Sequence, residues 1–240
     1  MISVCIPTFN GGPYIGAQLA SILASQQVSE VLVSDDGSTD DTAEVVRGCL
    51  DPRVQWLEGP RRGLIHNYES LLSRARGDFI FLADQDDVWL PGKVDVMLHA
   101  LRDADLAVCD CHVTDEALAI IHPSFFALRR SGPGLARNLV RNSYLGCCIA
   151  MRRHLLRRAL PFPDRVPMHD WWLGLVADAF GRVVFVPQVL VLYRRHGANA
   201  SSTAEPSRAS WPTRLRWRFD LVRGLIGRAG RDRLQGRVAR

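Results

Sequence analysis

The sequence predicts an α/β fold of one domain, with a mainly parallel sheet and flanking helices. Two patterns carry that reading. The first hundred residues alternate short apolar runs with stretches of helical periodicity, as a parallel sheet with crossover helices does. Three of the first four runs end in polar clusters, at the strand ends where open α/β sheets bind ligands. A chain of 240 residues, 47% hydrophobic and 23% charged, can bury the core that such a sheet needs.

Ile2 to Ile6 form the first run, followed by a helix from about Tyr14 with Ile15, Leu19, Ile22 and Leu23 on one face. Val31 to Val33 form the second, and its helix is expected to open at Ser38 or Thr39 as N-cap and close near Gly48. Val54 to Leu57 form the third, with a helix from about Leu64 to Ala75 that turns Leu64, Tyr68, Leu71, Leu72 and Ala75 inward. Phe79 to Ala83 and Leu106 to Cys109 are the fourth and fifth runs. After residue 110 the regularity weakens. A polar stretch to about Asn142 precedes an apolar run from Tyr144 to Met151, a helix from about Asp170 to Ala179, and runs at Val183 to Val186 and Val189 to Tyr193. The small, polar segment from Ala198 to Trp211 reads as a linker, so the domain is expected to span residues 1–205 and a tail residues 206–240.

No apolar run reaches the roughly 18 residues of a membrane span, and the N-terminus lacks the pattern of a secretory signal. A cytosolic protein is expected. The six cysteines show no CxxC spacing and read as reduced, packed thiols. The net charge of +5 is unevenly distributed: residues 206–240 hold ten Arg against Asp220 and Asp232, a balance of +8, which leaves residues 1–205 at −3. A nucleic-acid partner is not expected, because the basicity is confined to the tail and no recognition motif accompanies it.

The polar clusters are Pro7-Thr8-Phe9-Asn10, Asp35-Asp36-Gly37-Ser38-Thr39-Asp40 and Asp84-Gln85-Asp86-Asp87. Adjacent carboxylates repel one another, so such clusters persist where a cation, a hydroxyl-bearing ligand or backbone amides offset them. Helix capping accounts for one or two of the acids between Asp35 and Asp40. Asp84, Asp86 and Asp87 offer hard oxygen ligands suited to Mg²⁺ or Mn²⁺ that also coordinates phosphate. No Gly-rich Walker-type loop is present to cradle phosphates.

In order and spacing, the opening strand into PTFNGGPYI and the segments VLVSDDGSTDDT, GLIHNYESLLSRARGDFIFLADQDD and VWLPGKV resemble the nucleotide-sugar-binding half of glycosyltransferase family two. The resemblance implies a type A, Rossmann-like glycosyltransferase domain, with about residues 1–110 binding the nucleotide sugar and about 111–205 forming the acceptor side. It places Pro7, Thr8 and Asn10 at the nucleoside, Asp36 at the base or ribose, and Asp84 at the ribose or metal-bound diphosphate. It gives Asp86 the divalent cation, with Asp87 in support, sets Asn67 near the nucleotide and makes Arg61 or Arg62 a phosphate contact.

In the second half, His169-Asp170-Trp171-Trp172 begins an apolar-periodic helix. An acid there is commonly a cap. The resemblance instead makes Asp170 the general base of an inverting transfer, with His169 standing where the family usually has Glu, as in rhamnosyltransferase-like members. It also makes His196 a metal ligand, sets Arg194 or Arg195 at the leaving group and turns Gly146-Cys147-Cys148 into an acceptor-side loop. Trp171 and Trp172 read either as core or as a stacking face for a sugar.

The tail carries Leu215, Phe219, Val222 and Ile226 at helical spacing, with Leu221 and Leu225 flanking and several Arg elsewhere. That describes a basic amphipathic helix, either lying on an anionic membrane surface or packed on its own domain. The expected activity is metal-dependent transfer of a sugar, L-rhamnose from dTDP-L-rhamnose, to a glycan or lipid-linked acceptor. A UDP-hexose donor and a non-catalytic nucleotide-sugar-binding protein are the alternatives.

Overall fold

In the computed structural model, residues 1–197 and 210–238 are described, the side chains of the last helix to residue 230. The order is β1 (Ile2–Thr8), α1 (Gly12–Leu23), β2 (Glu30–Asp35), α2 (Thr42–Gly48), β3 (Val54–Glu58), α3 (Leu64–Arg74), β4 (Phe79–Leu82), β5 (Val88–Trp89) and α4 (Lys93–Ala100). There follow β6 (Leu106–Thr114), β7 (Ile120–His122), α5 (Phe125–Arg129), α6 (Leu135–Val140), β8 (Ile149–Arg152), α7 (Leu156–Ala159), α8 (His169–Phe180), β9 (Val183–Arg194) and α9 (Trp211–Val238).

The sheet runs β3-β2-β1-β4-β8-β6-β9-β5, with β7 paired to β6. Strands β1 to β4 are mutually parallel, as the alternating runs require. Strand β8 enters antiparallel between β4 and β6, and β6 pairs parallel with β9. All seven residues of β1 and all six of β2 are buried, as strands covered on both faces must be. The loops after β1, β2 and β4 therefore share one edge of the sheet. Insertion of β8 brings the second half against that edge.

Four local expectations change. Helix α2 starts at Thr42 with Asp41 as N-cap, later than Ser38 or Thr39, because Asp35 ties that segment into a turn by accepting the Gly37 and Ser38 amides. The fifth apolar run, β6, extends to Thr114. The two late apolar runs are one strand, β9, whose register against β6 shifts between Cys109–Val186 and Asp110–Val189; the exposed Pro187 and Gln188 fill the irregularity, where a proline costs no ladder bond. Helices α4 to α6 lie in segments to which no helix was assigned. The expected linker falls almost wholly in residues 198–209, outside those described.

Helix α9 packs on α8 through a different stripe from the one its strongest periodicity suggests. Leu221 is buried and Leu225 is 8% exposed. Gly224 lies so close to Trp172 that a Cβ there would come 2.9 Å from its ring. Arg228 donates to the carbonyls of Leu160 and Pro161. Leu215, Phe219, Val222 and Ile226, together with Trp211, face solvent. Among the described residues no helix is long and apolar enough to cross a membrane.

Candidate active site

The ends of β1, β2 and β4, the start of α3, the turn at residues 145–146 and the start of α8 enclose a cavity of about 470 Å³. Pro7, Thr8, Asp36, Asn67, Asp84, Asp86 and Asp170 line it, together with Phe9, Arg61, Gln85, Gly146, His169 and Tyr193. Most of the residues assigned from the sequence thus meet in one space.

The ends of β1, β2 and β4 are joined by loop-to-loop hydrogen bonds. Gln85 Oε1 accepts from the Thr8 hydroxyl at 2.6 Å and the Phe9 amide at 2.9 Å, and its amide returns a bond to the Phe9 carbonyl. This one side chain locks the end of β1 to the end of β4. Asp36 accepts from the amides of Arg62 and Gly63 at 3.3 and 2.6 Å, which leaves its outer face on the cavity. Gly63 has φ +87°, a left-handed conformation that favours glycine. Asn67 donates to the Ser34 carbonyl at 2.7 Å, while its Oδ1 is buried with no partner. Such an unpaired buried acceptor in a residue that lines the cavity calls for an explanation.

Asn10 and Arg194 occupy other places. Asn10 has φ +49°, and its Oδ1 accepts the Thr39 amide, so it joins two loops instead of lining the cavity. Arg194 donates its backbone N–H to Asp87 Oδ1 at 2.9 Å, its Nε to the Asp86 carbonyl at 2.7 Å and a guanidinium N–H to the Glu116 carbonyl. It clamps the acidic loop from behind.

Asp86 Oδ2 and His196 Nε2 are 2.7 Å apart, and Tyr14 stacks on the His196 ring at 4.8 Å. Asp84 is pushed up to about 7 by its protein surroundings and then by the Asp86 charge, against a lowering bond from the Tyr68 hydroxyl. Asp87, fully buried, is raised well above the carboxylate range by burial, then by Asp86 and Asp84. Asp84, Asp87 and the Cys147 thiol also approach within 4.8 Å of one another. Burial raises that thiol's pKa, so it stays protonated and is a poor ligand beside the carboxylate and imidazole of Asp86 and His196. Three neighbouring carboxylates, with an imidazole on one of them, are a donor set that fits a divalent cation.

In the same cavity, Asp170 is 4% exposed and is pushed up to about 7 by burial, against lowering bonds from the Trp171 amide, Asn142 and the Gly146 amide. Asn142 Nδ2 reaches its Oδ1 at 3.3 Å. A carboxyl poised there suits a general base at neutral pH. Trp171 and Trp172 are core residues: their indole N–H groups donate to the carbonyls of Asn138 and Ala159. Gln85, although inside the acidic cluster, and Asn142, outside any motif, received no role from the sequence, since each acts on a partner distant in the chain.

The model of glycosyl transferase family 2 matches residues 3–160. The chain belongs to glycosyl transferase family 2. MT1568 of Mycobacterium tuberculosis is 31% identical over 224 residues, 85% of this chain and 69% of that protein. The Escherichia coli UDP-Glc:alpha-D-GlcNAc-diphosphoundecaprenol beta-1,3-glucosyltransferase WfgD is 25% identical over 182 residues, 74% of this chain and 70% of its own. Staphylococcus aureus TarS 1-349 in complex with UDP-GlcNAc superposes with TM-score 0.64 at 17% identity over 86% of this chain. Mannosyltransferase PcManGT from Pyrobaculum calidifontis, in complex with GDP-Man and Mn²⁺, superposes with TM-score 0.59 at 22% identity over 89%. The chain spans about three fifths of each solved chain, 61% and 60%. The family 2 chain is thus a glycosyltransferase with the mainly parallel α/β fold of these neighbours.

Proposed function

We propose that this family 2 glycosyltransferase inverts the anomeric centre of a nucleoside diphosphate sugar in a metal-dependent transfer to a glycan or lipid-linked acceptor. The observation that carries the reading is the meeting of two chemistries in one cavity: Asp86, paired with His196, and Asp170, raised to about 7, both line it. Asp170 in its ionised form takes the proton of the acceptor hydroxyl as that oxygen attacks the anomeric carbon. Asn67 would contact the nucleotide, and Asp36 would accept a ribose or base hydrogen; both line the cavity. Arg61, on the cavity wall, supplies positive charge toward the diphosphate. Asp86 and His196, with Asp84 beside them, would hold Mn²⁺ or Mg²⁺. Such an ion, when bound, offsets charge on the departing diphosphate.

L-Rhamnose carried on dTDP is the donor supported by the resemblance of the DQDDVWLPGK and HDWW segments to rhamnosyltransferase-like members. UDP-linked hexoses are the second reading, favoured by the donor printed in WfgD's name and by the TarS complex. The exposed stripe Trp211, Leu215, Phe219, Val222 and Ile226, with Arg216 and Arg223 exposed beside it, supports peripheral contact with the inner face of the cytoplasmic membrane. The polyprenol-linked acceptor printed in WfgD's name agrees with such a position. Calorimetry of dTDP-L-rhamnose, UDP-glucose, UDP-GlcNAc and GDP-mannose, with and without Mn²⁺, tests the donor assignment. Tightest Mn²⁺-dependent binding of dTDP-L-rhamnose is expected, and binding of none of the four would refute the proposal.

A further inference from the structure

His169 is 2% exposed, yet neither Nδ1 nor Nε2 has a hydrogen-bond partner. An imidazole buried this way is costly unless something bonds to it. Its ring is positioned by stacking: it lies on Tyr68 with centroids 3.8 Å apart and planes 24° from parallel. That contact fixes the ring without using either nitrogen. Gly146 lies against one edge of the ring, since a Cβ there would stand 2.6 Å from Nε2.

The ring lines the same cavity as Asp84 and Asp170. Tyr68, on which it stacks, donates to Asp84 Oδ1 at 2.8 Å, and Asp170 is its neighbour in sequence. His169 therefore shares the cavity with both acids and is linked to Asp84 through Tyr68. In the reaction proposed above, the ring being transferred must pass there. Burial pulls the imidazole down to about 3, so at neutral pH it carries one N–H donor and one acceptor. A diphosphate only accepts hydrogen bonds and a metal ion only takes lone pairs. A sugar hydroxyl donates and accepts, and matches both faces of a neutral imidazole. A phenylalanine would stack on Tyr68 equally well, so packing alone does not explain a histidine here.

We propose that His169 determines specificity by hydrogen-bonding a hydroxyl of the transferred sugar; this rests on the sugar-transfer reading. The test compares bare nucleotides with their conjugates (dTDP and dTDP-L-rhamnose, UDP and UDP-glucose, GDP and GDP-mannose) by calorimetry with Mn²⁺ on wild type, His169→Phe and His169→Gln. The wild type should bind one conjugate more tightly than its bare nucleotide. His169→Phe should weaken that conjugate about tenfold with the bare nucleotide within about twofold, and His169→Gln, which keeps a donor and an acceptor, should restore most of the difference. One monodeoxy form of the conjugate should lose a similar factor on the wild type and nothing further on His169→Phe.

An unchanged conjugate affinity in His169→Phe, or an equal loss for the bare nucleotide, overturns the assignment. If His169→Phe fails to fold, the deoxy series on the wild type decides: equal affinity for parent and every monodeoxy conjugate overturns it. A cavity filled by water alone gives that result. Failure of the wild type to bind any nucleotide, bare or conjugated, refutes the sugar-nucleotide reading itself and the assignment with it.

Discussion

Replacing Asp170 with Asn should make the protein more stable, and increasingly so as pH rises. In the folded chain the carboxyl is raised from 3.8 to about 7. The folded state therefore holds on to a proton that the unfolded state has released, and stability falls as pH rises through this window. Relative to a group that does not titrate, the cost is about 1.5 kcal/mol at pH 5 and about 4 kcal/mol at pH 8, at about 1.36 kcal/mol per unit. Asn is neutral throughout, and its single carbonyl oxygen can keep the bonds from the Trp171 amide and Asn142 that Asp170 Oδ1 accepts. The gain in unfolding free energy should thus widen by about 2 to 3 kcal/mol between pH 5 and pH 8. Urea titrations of both proteins at the two pH values, without added metal or nucleotide, measure it. A gain that does not grow with pH, or a variant less stable at pH 8, would refute the argument that burial raises this carboxyl. A base held at energetic cost is a familiar exchange of stability for activity.

The same shift governs rate: kcat/KM should rise with pH through about 7 and level off, and Asp170→Asn should lower kcat by about 10²- to 10⁴-fold with donor affinity nearly unchanged; a wild-type profile flat from pH 5 to 8 would contradict the base assignment. Asp86→Ala and His196→Ala should each abolish the Mn²⁺ enhancement of donor binding in calorimetry, and an enhancement retained in both would move the ion elsewhere. Phe219→Glu combined with Ile226→Glu should release the protein from anionic vesicles in a flotation assay without lowering Tm, because both side chains face solvent. Leu225→Ala, on the packed stripe of the same helix, should instead destabilise by about 2 to 5 kcal/mol, as buried Leu truncations do, read by urea unfolding.

The parallel half was legible because strands buried on both faces read as continuous apolar runs, and because clustered acids at their ends have few structural excuses. Where the reading erred, a competing bond was at work. The carboxylates of Asp35 and Asp40 bind loop amides, which delays α2 beyond the residues that look like its cap. Arg194 has the composition of a phosphate ligand, yet its donors are spent on carbonyls brought near by β6 and β4, which local sequence does not reveal. Helix α9 carries two apolar stripes, and periodicity cannot say which is packed. The close approach permitted by Gly224 beside Trp172 selects the Leu221–Leu225 face. Asn142 backs the base from 28 residues away, a relation that exists only once α6 and α8 have met.

The Arg194 clamp also bears on when the site comes into being. Its bonds reach back 107 and 108 residues, to Asp87 and the Asp86 carbonyl, and His196 joins Asp86 across 110. During synthesis the chain exposes β1 to β4 long before β9 leaves the ribosome, so a nucleotide-shaped pocket can form with its acidic wall still unbraced. Contacts of such sequence separation form late and together. The braced acidic loop is thereby withheld until β9 has docked, and fragments ending before β9 should lack it however well their first half folds.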